Sequence, residues 1–260
     1  MKIGAMNHPM RAVVEEIRTF RELGFEFVDL TLEPLRGAPS AIDVADVLRV
    51  LDETGLNAVG HTAWYLPLAS PFERVRDAAL AEFAECFDVF ARLGIRLANI
   101  HPDARVPSMF PRAWVVDRNI ESLQRLVALA AERGVRLMLE NVPGMFNDVE
   151  NLKPVFAAVP ELGLHLDVGH ANLGGPKNAT ELFLDAFGGR LVHVHFSDNK
   201  GDGDSHLPMG VGNIDWRWAI TALKQHGYDG TITLEVFSPD QDYLAFSRLK
   251  VQRLWDEVAT

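Results

Sequence analysis

Short apolar runs alternate with longer amphipathic segments along the whole chain, and this alternation is its strongest structural signal. Runs rich in β-branched and apolar residues predict eight strands, at residues 2–6, 25–32, 57–62, 97–101, 136–141, 163–167, 191–196 and 231–237. A helix-like segment follows each strand. In residues 72–93, for example, apolar side chains recur every three or four positions, which predicts one buried stripe on a helix.

This order of elements predicts the fold class. Strand and helix alternating eight times over about 250 residues is typical of a (β/α)8 TIM barrel, whose active site lies at the C-terminal ends of the strands. A doubly wound open sheet is the alternative. The first strand is followed by GAMNHPM and not by a glycine-rich nucleotide fingerprint, so a dinucleotide-binding version of that sheet has little support.

Length and composition favour one globular domain. The chain has 260 residues, a formal charge of -11 and 48% hydrophobic residues, so we expect a single domain over residues 1–260. The N-terminal MKIGAMNHPMR lacks the pattern of a signal peptide and no apolar run has membrane-spanning length, so we expect a cytoplasmic location and no membrane partner. The net negative charge argues against nucleic-acid binding but does not exclude it. The single cysteine, Cys86, is predicted to be buried in a helix.

The stretch 191–215, LVHVHFSDNKGDGDSHLPMGVGNID, carries the densest chemistry. His193 and His195 share one side of a strand, and only His195 stands where the strand gives way to the loop. Imidazole and carboxylate donors then follow at close spacing, including Asp204 and His206. Such a mixture suits zinc, manganese or iron better than calcium. A solvated acidic loop with a chance histidine is the structural alternative.

Similar residue types recur at the ends of the other strands, which is where a barrel builds its site. Burying an unpaired carboxylate in an apolar barrel costs several kcal/mol, and a metal ion is a common compensation. Nine residues fit this pattern: His61, His101, Glu140, Asp167, His170, His195, Asp204, His206 and Glu235. By contrast, we expect His193 and His165 to be packed inside the barrel and His226 to be structural at a helix end.

These segments resemble one superfamily, the xylose isomerase-like TIM barrels, which include endonuclease IV (AP endonuclease family 2) and the sugar phosphate isomerases and epimerases. The resemblance is carried by GHTAWYLPL, ANIHPD, LMLENVPG, HLDVGHANL, HVHFSDNKGDGDSHLPMGVGNID and TLEVF, and it spans almost the whole chain. In the endonuclease branch, the positions matching all nine residues hold three zinc ions. In the isomerase and epimerase branch, the positions matching Glu140, Asp167, His195 and Glu235 hold one divalent ion. The resemblance therefore implies one to three divalent ions per chain, with zinc or manganese favoured.

Two function classes follow from the resemblance. In the first, a metal ion binds adjacent oxygens of a sugar or sugar phosphate and stabilises an enediolate. Glu140 and Glu235 act as base and acid, and His170 positions a substrate oxygen. In the second, three zinc ions hydrolyse the DNA backbone at an abasic site. A third hypothesis, a non-enzymatic binding module that kept the barrel fold but lost catalysis, is weaker, because none of the nine metal positions carries a different residue type.

The loops favour small-molecule chemistry. A nuclease needs cationic loops and inserted side chains, whereas TLEPLRGAPS after the second strand is short and has one arginine. Asn7, His8, Trp64 and Lys200 are candidate substrate-binding residues, although Asn7 and His8 could instead cap a helix beginning near Pro9. The arginine of related ketose 3-epimerases is absent near Lys200, which weighs against a simple ketose 3-epimerase. Related barrels are often dimers or tetramers, so a homo-oligomer is one expected state.

Overall fold

A computed structural model describes residues 1–259 and has eight parallel strands closed into a barrel, each hydrogen-bonded to the next and β8 to β1. The predicted (β/α)8 TIM barrel is confirmed. The strands are β1 (Lys2–Met6), β2 (Phe27–Leu32), β3 (Asn57–Thr62), β4 (Leu97–Ile100), β5 (Arg136–Glu140), β6 (Gly163–Asp167), β7 (Leu191–Phe196) and β8 (Thr231–Leu234).

Eight α-helices connect the strands and carry buried apolar stripes toward them. They are α1 (Val13–Glu22), α2 (Val44–Thr54), α3 (Glu73–Arg92), α4 (Arg112–Ala131), α5 (Val149–Ala158), α6 (Thr180–Phe187), α7 (Trp216–Gln225) and α8 (Asp242–Glu257). In α3 the buried stripe includes Phe83, Phe87 and Phe90, and Cys86 is buried and unpaired among them. Across residues 1–259, none of the helices combines the length and the apolar character that crossing a membrane requires.

The element boundaries differ from the predictions at a few ends. β2 begins at Phe27, because the amide of Phe25 still bonds to Phe20 at the end of α1. β4 and β8 end at Ile100 and Leu234, so two of the predicted site residues lie just past their strands. Helix α1 begins at Val13 and has no side-chain cap, which contradicts the alternative that Asn7 or His8 caps a helix near Pro9.

Residues two positions apart on a strand face the same side, and this places an apolar layer of side chains below a polar layer inside the barrel. Phe27, Val59 and Met138 form a small buried cluster of their own. Two residues further along the same strands, and therefore on the same side, lie Asp29, His61 and Glu140. The main apolar core instead fills the space between the strands and the surrounding helices. The polar layer is thus closed off below and opens toward the C-terminal ends of the strands.

Candidate metal centre and cavity

Four donor side chains from four successive strands converge inside the C-terminal end of the barrel. One ligand atom from each of Glu140, Asp167, His195 and Glu235 lies within 4.8 Å of those of the other three. His195 Nδ1 lies 3.2 Å from a Glu235 oxygen, 3.8 Å from Asp167 Oδ2 and 4.0 Å from a Glu140 oxygen. Glu140, Asp167 and His195 are buried, and the Glu235 side chain is 12% exposed. Three carboxylates and one imidazole therefore crowd one small space.

Electrostatics in this space favour a bound cation. Burial together with the neighbouring Glu140 and Glu235 carboxylates raises the pKa of Asp167 from 3.8 to about 7, against the lowering effect of His170. Asp167 Oδ2 is buried and has no hydrogen-bond partner within residues 1–259. A buried oxygen that is left unpaired among other carboxylates is a costly arrangement that a divalent ion would relieve. The donor set and its unpaired oxygen thus fit a divalent metal.

Glu140 also belongs to a second group on the side of β3 and β4. Its Oε2 is 3.0 Å from His101 Nε2, and His61, His101 and Glu140 likewise bring ligand atoms within 4.8 Å of one another. The amide of Asn99 lies between them, 2.5 Å from Glu140 Oε2 and 3.1 Å from His101 Nε2. Burial lowers the pKa of His61 to about 4, so its ring is neutral and able to act as a ligand.

A third group forms where the β6 turn meets the β7 loop. His170 Nε2 and His206 Nε2 lie 3.1 and 3.2 Å from the same oxygen of Asp204. The other nitrogen of His170, Nδ1, donates to the carbonyl of Asn141 at 2.7 Å, which fixes the ring and leaves Nε2 facing the loop. The nine residues predicted from the strand ends therefore come together as three adjoining groups.

The β7 loop is held in shape by a carboxylate that is not a ligand candidate. Asp198 is fully buried and accepts hydrogen bonds from the backbone N–H of Gly210 at 2.6 Å and from Trp216 Nε1 at 3.0 Å. Its backbone pairs with Leu207 in an antiparallel bridge. His206, just before this bridge, has a φ of 44°, a backbone conformation that residues other than glycine rarely adopt. Such local strain is typical of positions that the surrounding structure fixes for function.

Above the donors lies a cavity of about 890 Å³ that reaches the protein surface. Its base is polar, with Glu140, His170 and Glu235, while residues such as Phe110, Met145 and Phe237 give it an apolar wall. Glu33 also lines the cavity, and burial raises the pKa of its carboxyl above 4.5. This volume is in the range of pockets that enclose a small organic molecule.

The four predicted substrate-binding residues lie in different places. His8 and Trp64 line the cavity. Asn7 is fully buried, and its side-chain amide bonds to both the N–H and the carbonyl of Thr31, so it ties β1 to β2. Lys200 is exposed and is not among the residues lining the cavity within the described part of the chain. The structure therefore brings two of the four to the cavity.

The histidines expected to be structural lie outside the cavity lining. His193 and His165 are fully buried inside the barrel, and their rings are 4.9 Å apart. His193 bonds to two threonine hydroxyls, at 2.7 and 3.0 Å. His226 follows the last residue of α7, and its Nδ1 donates to the carbonyl of Ala222.

Sequence reasoning missed three residues that hold the donors. Asp29 lies 2.8 Å from His195 Nε2, and the side-chain amide of Asn99 donates to Glu140. The side chain of Asn141 donates to the backbone carbonyl of Asp167 and accepts from its backbone N–H. The signal for Asp29 was a charged residue in the otherwise uncharged strand FVDLTL. Asn99 and Asn141 are neutral and lie beside predicted ligands, so residue type alone did not mark them.

Comparisons with known proteins support the same architecture. The family model described as "Xylose isomerase-like TIM barrel" matches residues 17–253. An uncharacterized protein of Methanocaldococcus jannaschii, MJ1311, is 30% identical over 186 residues, which are 64% of this chain and 59% of that protein. L-ribulose 3-epimerase of a Methylomonas species is 30% identical over 230 residues, covering 84% of this chain and 76% of the relative.

Among solved structures, a D-tagatose 3-epimerase-like protein superimposes with a TM-score of 0.86. Its sequence is 24% identical, and the superposition covers 98% of this chain and 97% of that chain. At this level of identity the likeness shows the fold.

Proposed function

Because the chain belongs to the xylose isomerase-like TIM barrel family, we propose that it is a divalent-metal-dependent sugar isomerase or epimerase that transfers a proton at carbon through an enediolate. The observation that carries this proposal is the convergence of Glu140, Asp167, His195 and Glu235 beneath a cavity of about 890 Å³. The sugar epimerases among its relatives support the isomerase and epimerase class.

The same four side chains would hold the metal. Their three carboxylates and one imidazole are donors that manganese and zinc accept, and the unpaired oxygen of Asp167 fits such an ion. When bound there, a divalent ion supplies positive charge that stabilises an enediolate.

Glu140 and Glu235 are the proposed acid and base. The histidines around Glu140 hold its pKa well below 4.5 despite its burial, and His206 and His195 lower the pKa of Glu235 in the same way. Both groups are therefore carboxylates at neutral pH, able to accept a proton from a carbon next to a carbonyl. In an epimerisation one carboxylate takes the proton from carbon while the electron pair stays on the substrate. The other first takes a proton from solvent and then delivers it to the opposite face, and the first carboxylate loses its proton to solvent.

His170 and the cavity walls would orient the substrate. Burial opposes protonation of His170, but the Asp167, Asp204 and Glu140 carboxylates raise its pKa well above 6.5. A protonated His170 would donate from Nε2 to a substrate oxygen in place of its contact with Asp204, because Nδ1 is committed to Asn141. Glu33 in the cavity lining can accept a hydrogen bond from a hydroxyl, and the Trp64 ring offers an apolar face to a sugar.

The charges around the cavity favour a neutral sugar over a sugar phosphate. The carboxylates lining it are Glu33, Glu140, Asp204 and Glu235. Both lining arginines are already paired, Arg105 with Asp103 at 2.8 Å and Arg112 with Asp148 at 2.6 Å. Among the lining residues of the described chain, a phosphate group would therefore meet no arginine that is free of a carboxylate partner.

A specific observation keeps a second candidate. The groups around His61 and His101 and around Asp204 and His206 would allow three ions, as the resemblance to endonuclease IV implies. The chain would then be a three-zinc phosphodiesterase that cleaves DNA at abasic sites. Its charge of -11 and its paired cavity arginines weigh against DNA as the substrate.

Solvent hydrogen exchange tests the proposed function. The metal-loaded protein is incubated in D2O with a panel of free ketoses and their phosphates, and NMR follows deuterium entering the carbon next to the carbonyl. We expect incorporation and a new epimer with at least one free ketose, and a loss of about 100-fold or more for Glu235→Gln. Cleavage of an abasic-site duplex by protein that exchanges no sugar would instead establish the phosphodiesterase.

A further inference from the structure

We propose that Asp29 is a positioning residue that fixes His195 for metal binding, through a directed chain of hydrogen bonds running across the barrel interior. The inference rests on the proposed function only in taking Glu140, Asp167, His195 and Glu235 as the metal site. Asp29 lies in the middle of β2, fully buried, and across the barrel from β7. It does not line the cavity and is not one of the four donors, although one of its oxygens lies within 4.8 Å of ligand atoms of His61 and His195.

Two hydrogen bonds converge on one oxygen of Asp29, and His193 Nε2 lies 3.4 Å from the same oxygen. His195 Nε2 lies 2.8 Å from Oδ2, and the hydroxyl of Thr233 on β8 donates to the same oxygen at 2.9 Å. An ionised carboxylate only accepts hydrogen bonds, so both partners must donate. Asp29 therefore places the proton of the His195 ring on Nε2.

The rest of the chain follows from the hydroxyl of Thr233. Since its proton points to Asp29, its oxygen accepts from His193 Nε2 at 3.0 Å. His193 Nδ1 is then the acceptor, and the hydroxyl of Thr231 donates to it at 2.7 Å. Each bond has one allowed direction, from Thr231 through His193 and Thr233 to Asp29.

The consequence for the metal centre lies on the other nitrogen of His195. Nδ1 lies 3.2 Å from Glu235 and 3.8 Å from Asp167, and because Asp29 holds a proton on Nε2, Nδ1 is the nitrogen that would give up its proton to bind a metal ion. A carboxylate that accepts from the second nitrogen of a ligand histidine fixes its tautomer and ring orientation and increases its basicity. Asp29 is the residue in position to do this for His195.

The same carboxylate reaches toward a second donor group. Asp29 Oδ1 lies 3.7 Å from His61 Nδ1 and makes no hydrogen bond within residues 1–259. The rings of His61 and His195 are stacked, with centroids 5.4 Å apart. A shift of Asp29 would therefore disturb both imidazoles.

Metal affinity, and not activity, is the readout of the test. The apparent dissociation constants of Mn²⁺ and Zn²⁺ are measured by competition with a chromophoric chelator for the parent, Asp29→Asn and Thr233→Val. We expect Asp29→Asn to weaken binding about 10- to 100-fold, because the amide keeps the shape and removes the charge behind His195. Thr233→Val, which removes one donor to Asp29, is expected to weaken binding by a smaller factor, about threefold or more.

Asp103→Asn is the matched control. Asp103 is also a buried carboxylate, but its partners are Arg105 and the backbone of Ala69, and it belongs to none of the donor groups. We expect its metal affinity to stay within about twofold of the parent. If Asp29→Asn does not fold, Thr233→Val decides.

The outcomes separate this role from the proposed function. A folded Asp29→Asn protein with parental affinity would overturn the positioning role while leaving the metal site intact, and so would an unchanged affinity of Thr233→Val when Asp29→Asn does not fold. A parent protein that binds neither metal would overturn both this inference and the metal dependence of the proposed function. Equal losses in Asp29→Asn and Asp103→Asn would indicate a general structural effect and would also contradict the inference.

Discussion

At the residue scale, the chemistry of this protein depends on buried ionisable groups that modify one another. The nine strand-end residues could be selected from the sequence because charged side chains at the ends of apolar strands need a reason to be there. Asp29 could not be selected with them. Its role depends on a contact with His195, 166 positions away, and no spacing rule connects the two.

The pH dependence of the metal-free protein follows from these contacts. Burial opposes the charged form of His206, but the Glu235 and Asp204 carboxylates raise its pKa from 6.5 to about 9. Because the folded-state pKa is above the unfolded value, the stabilisation is complete below pH 6.5 and is lost as the pH rises through 9. We expect the free energy of unfolding to fall over this window, by up to about 3 kcal/mol from His206.

Urea unfolding in the presence of chelator, at pH 6.5 and pH 9.5, measures this fall. His206→Gln is expected to make it smaller, and His226→Gln, at the end of α7, is the control that leaves it unchanged. An equal fall in the parent and in His206→Gln would mean that His206 does not gain its proton affinity from these carboxylates.

At the element scale, the period of the apolar pattern was enough to predict all eight strands, and their ends were less well predicted. Strand ends depend on which backbone amides find partners. For example, the backbone amide of Glu235 still donates to the Phe196 carbonyl at 3.0 Å, although β8 ends one residue earlier. The turn between Asp167 and His170 also depends on backbone fit, because Gly169 packs directly against Ser197, the residue that follows β7.

Gly169→Ala tests this turn. A Cβ at Gly169 would lie 2.8 Å from the backbone oxygen of Ser197, closer than real Cβ contacts. We expect the substitution to destabilise the protein by about 1–3 kcal/mol and to displace His170 from Asn141. Urea unfolding and metal affinity are the measurements. Gly203→Ala, where a Cβ would meet nothing within 4 Å, is expected to change neither, and a neutral Gly169→Ala would contradict the packing account.

At the scale of the whole molecule, the alternation of strands and helices predicted the fold and the resemblance predicted the family. The closed eight-stranded barrel confirms the first prediction, and the family match over residues 17–253 confirms the second. The size and lining of the cavity could not be predicted, because they depend on how loops from several strands meet above the donors. The barrel brings the mutually repelling carboxylates of Glu140, Asp167 and Glu235 together. The folded state should therefore gain stability from a cation.

Thermal unfolding with and without metal tests this gain. A ligand that binds only the folded state at 100 times its dissociation constant stabilises it by about 2.7 kcal/mol. For a domain of this size we expect the melting temperature to rise by roughly 5–10 °C with Mn²⁺ or Zn²⁺, and EDTA to reverse the rise. A melting temperature that does not respond to either ion would mean that the carboxylate cluster is stable without one.

The central claim is that Glu140, Asp167, His195 and Glu235 hold a divalent ion, and metal content per chain tests it most directly. Protein purified without chelator is analysed by elemental mass spectrometry, as the parent, as Asp167→Asn and as the control Asp103→Asn. We predict about one manganese or zinc ion per chain in the parent and in the control, and its loss in Asp167→Asn. Close to three zinc ions in the parent would favour the phosphodiesterase. Full retention of metal by Asp167→Asn would contradict the site.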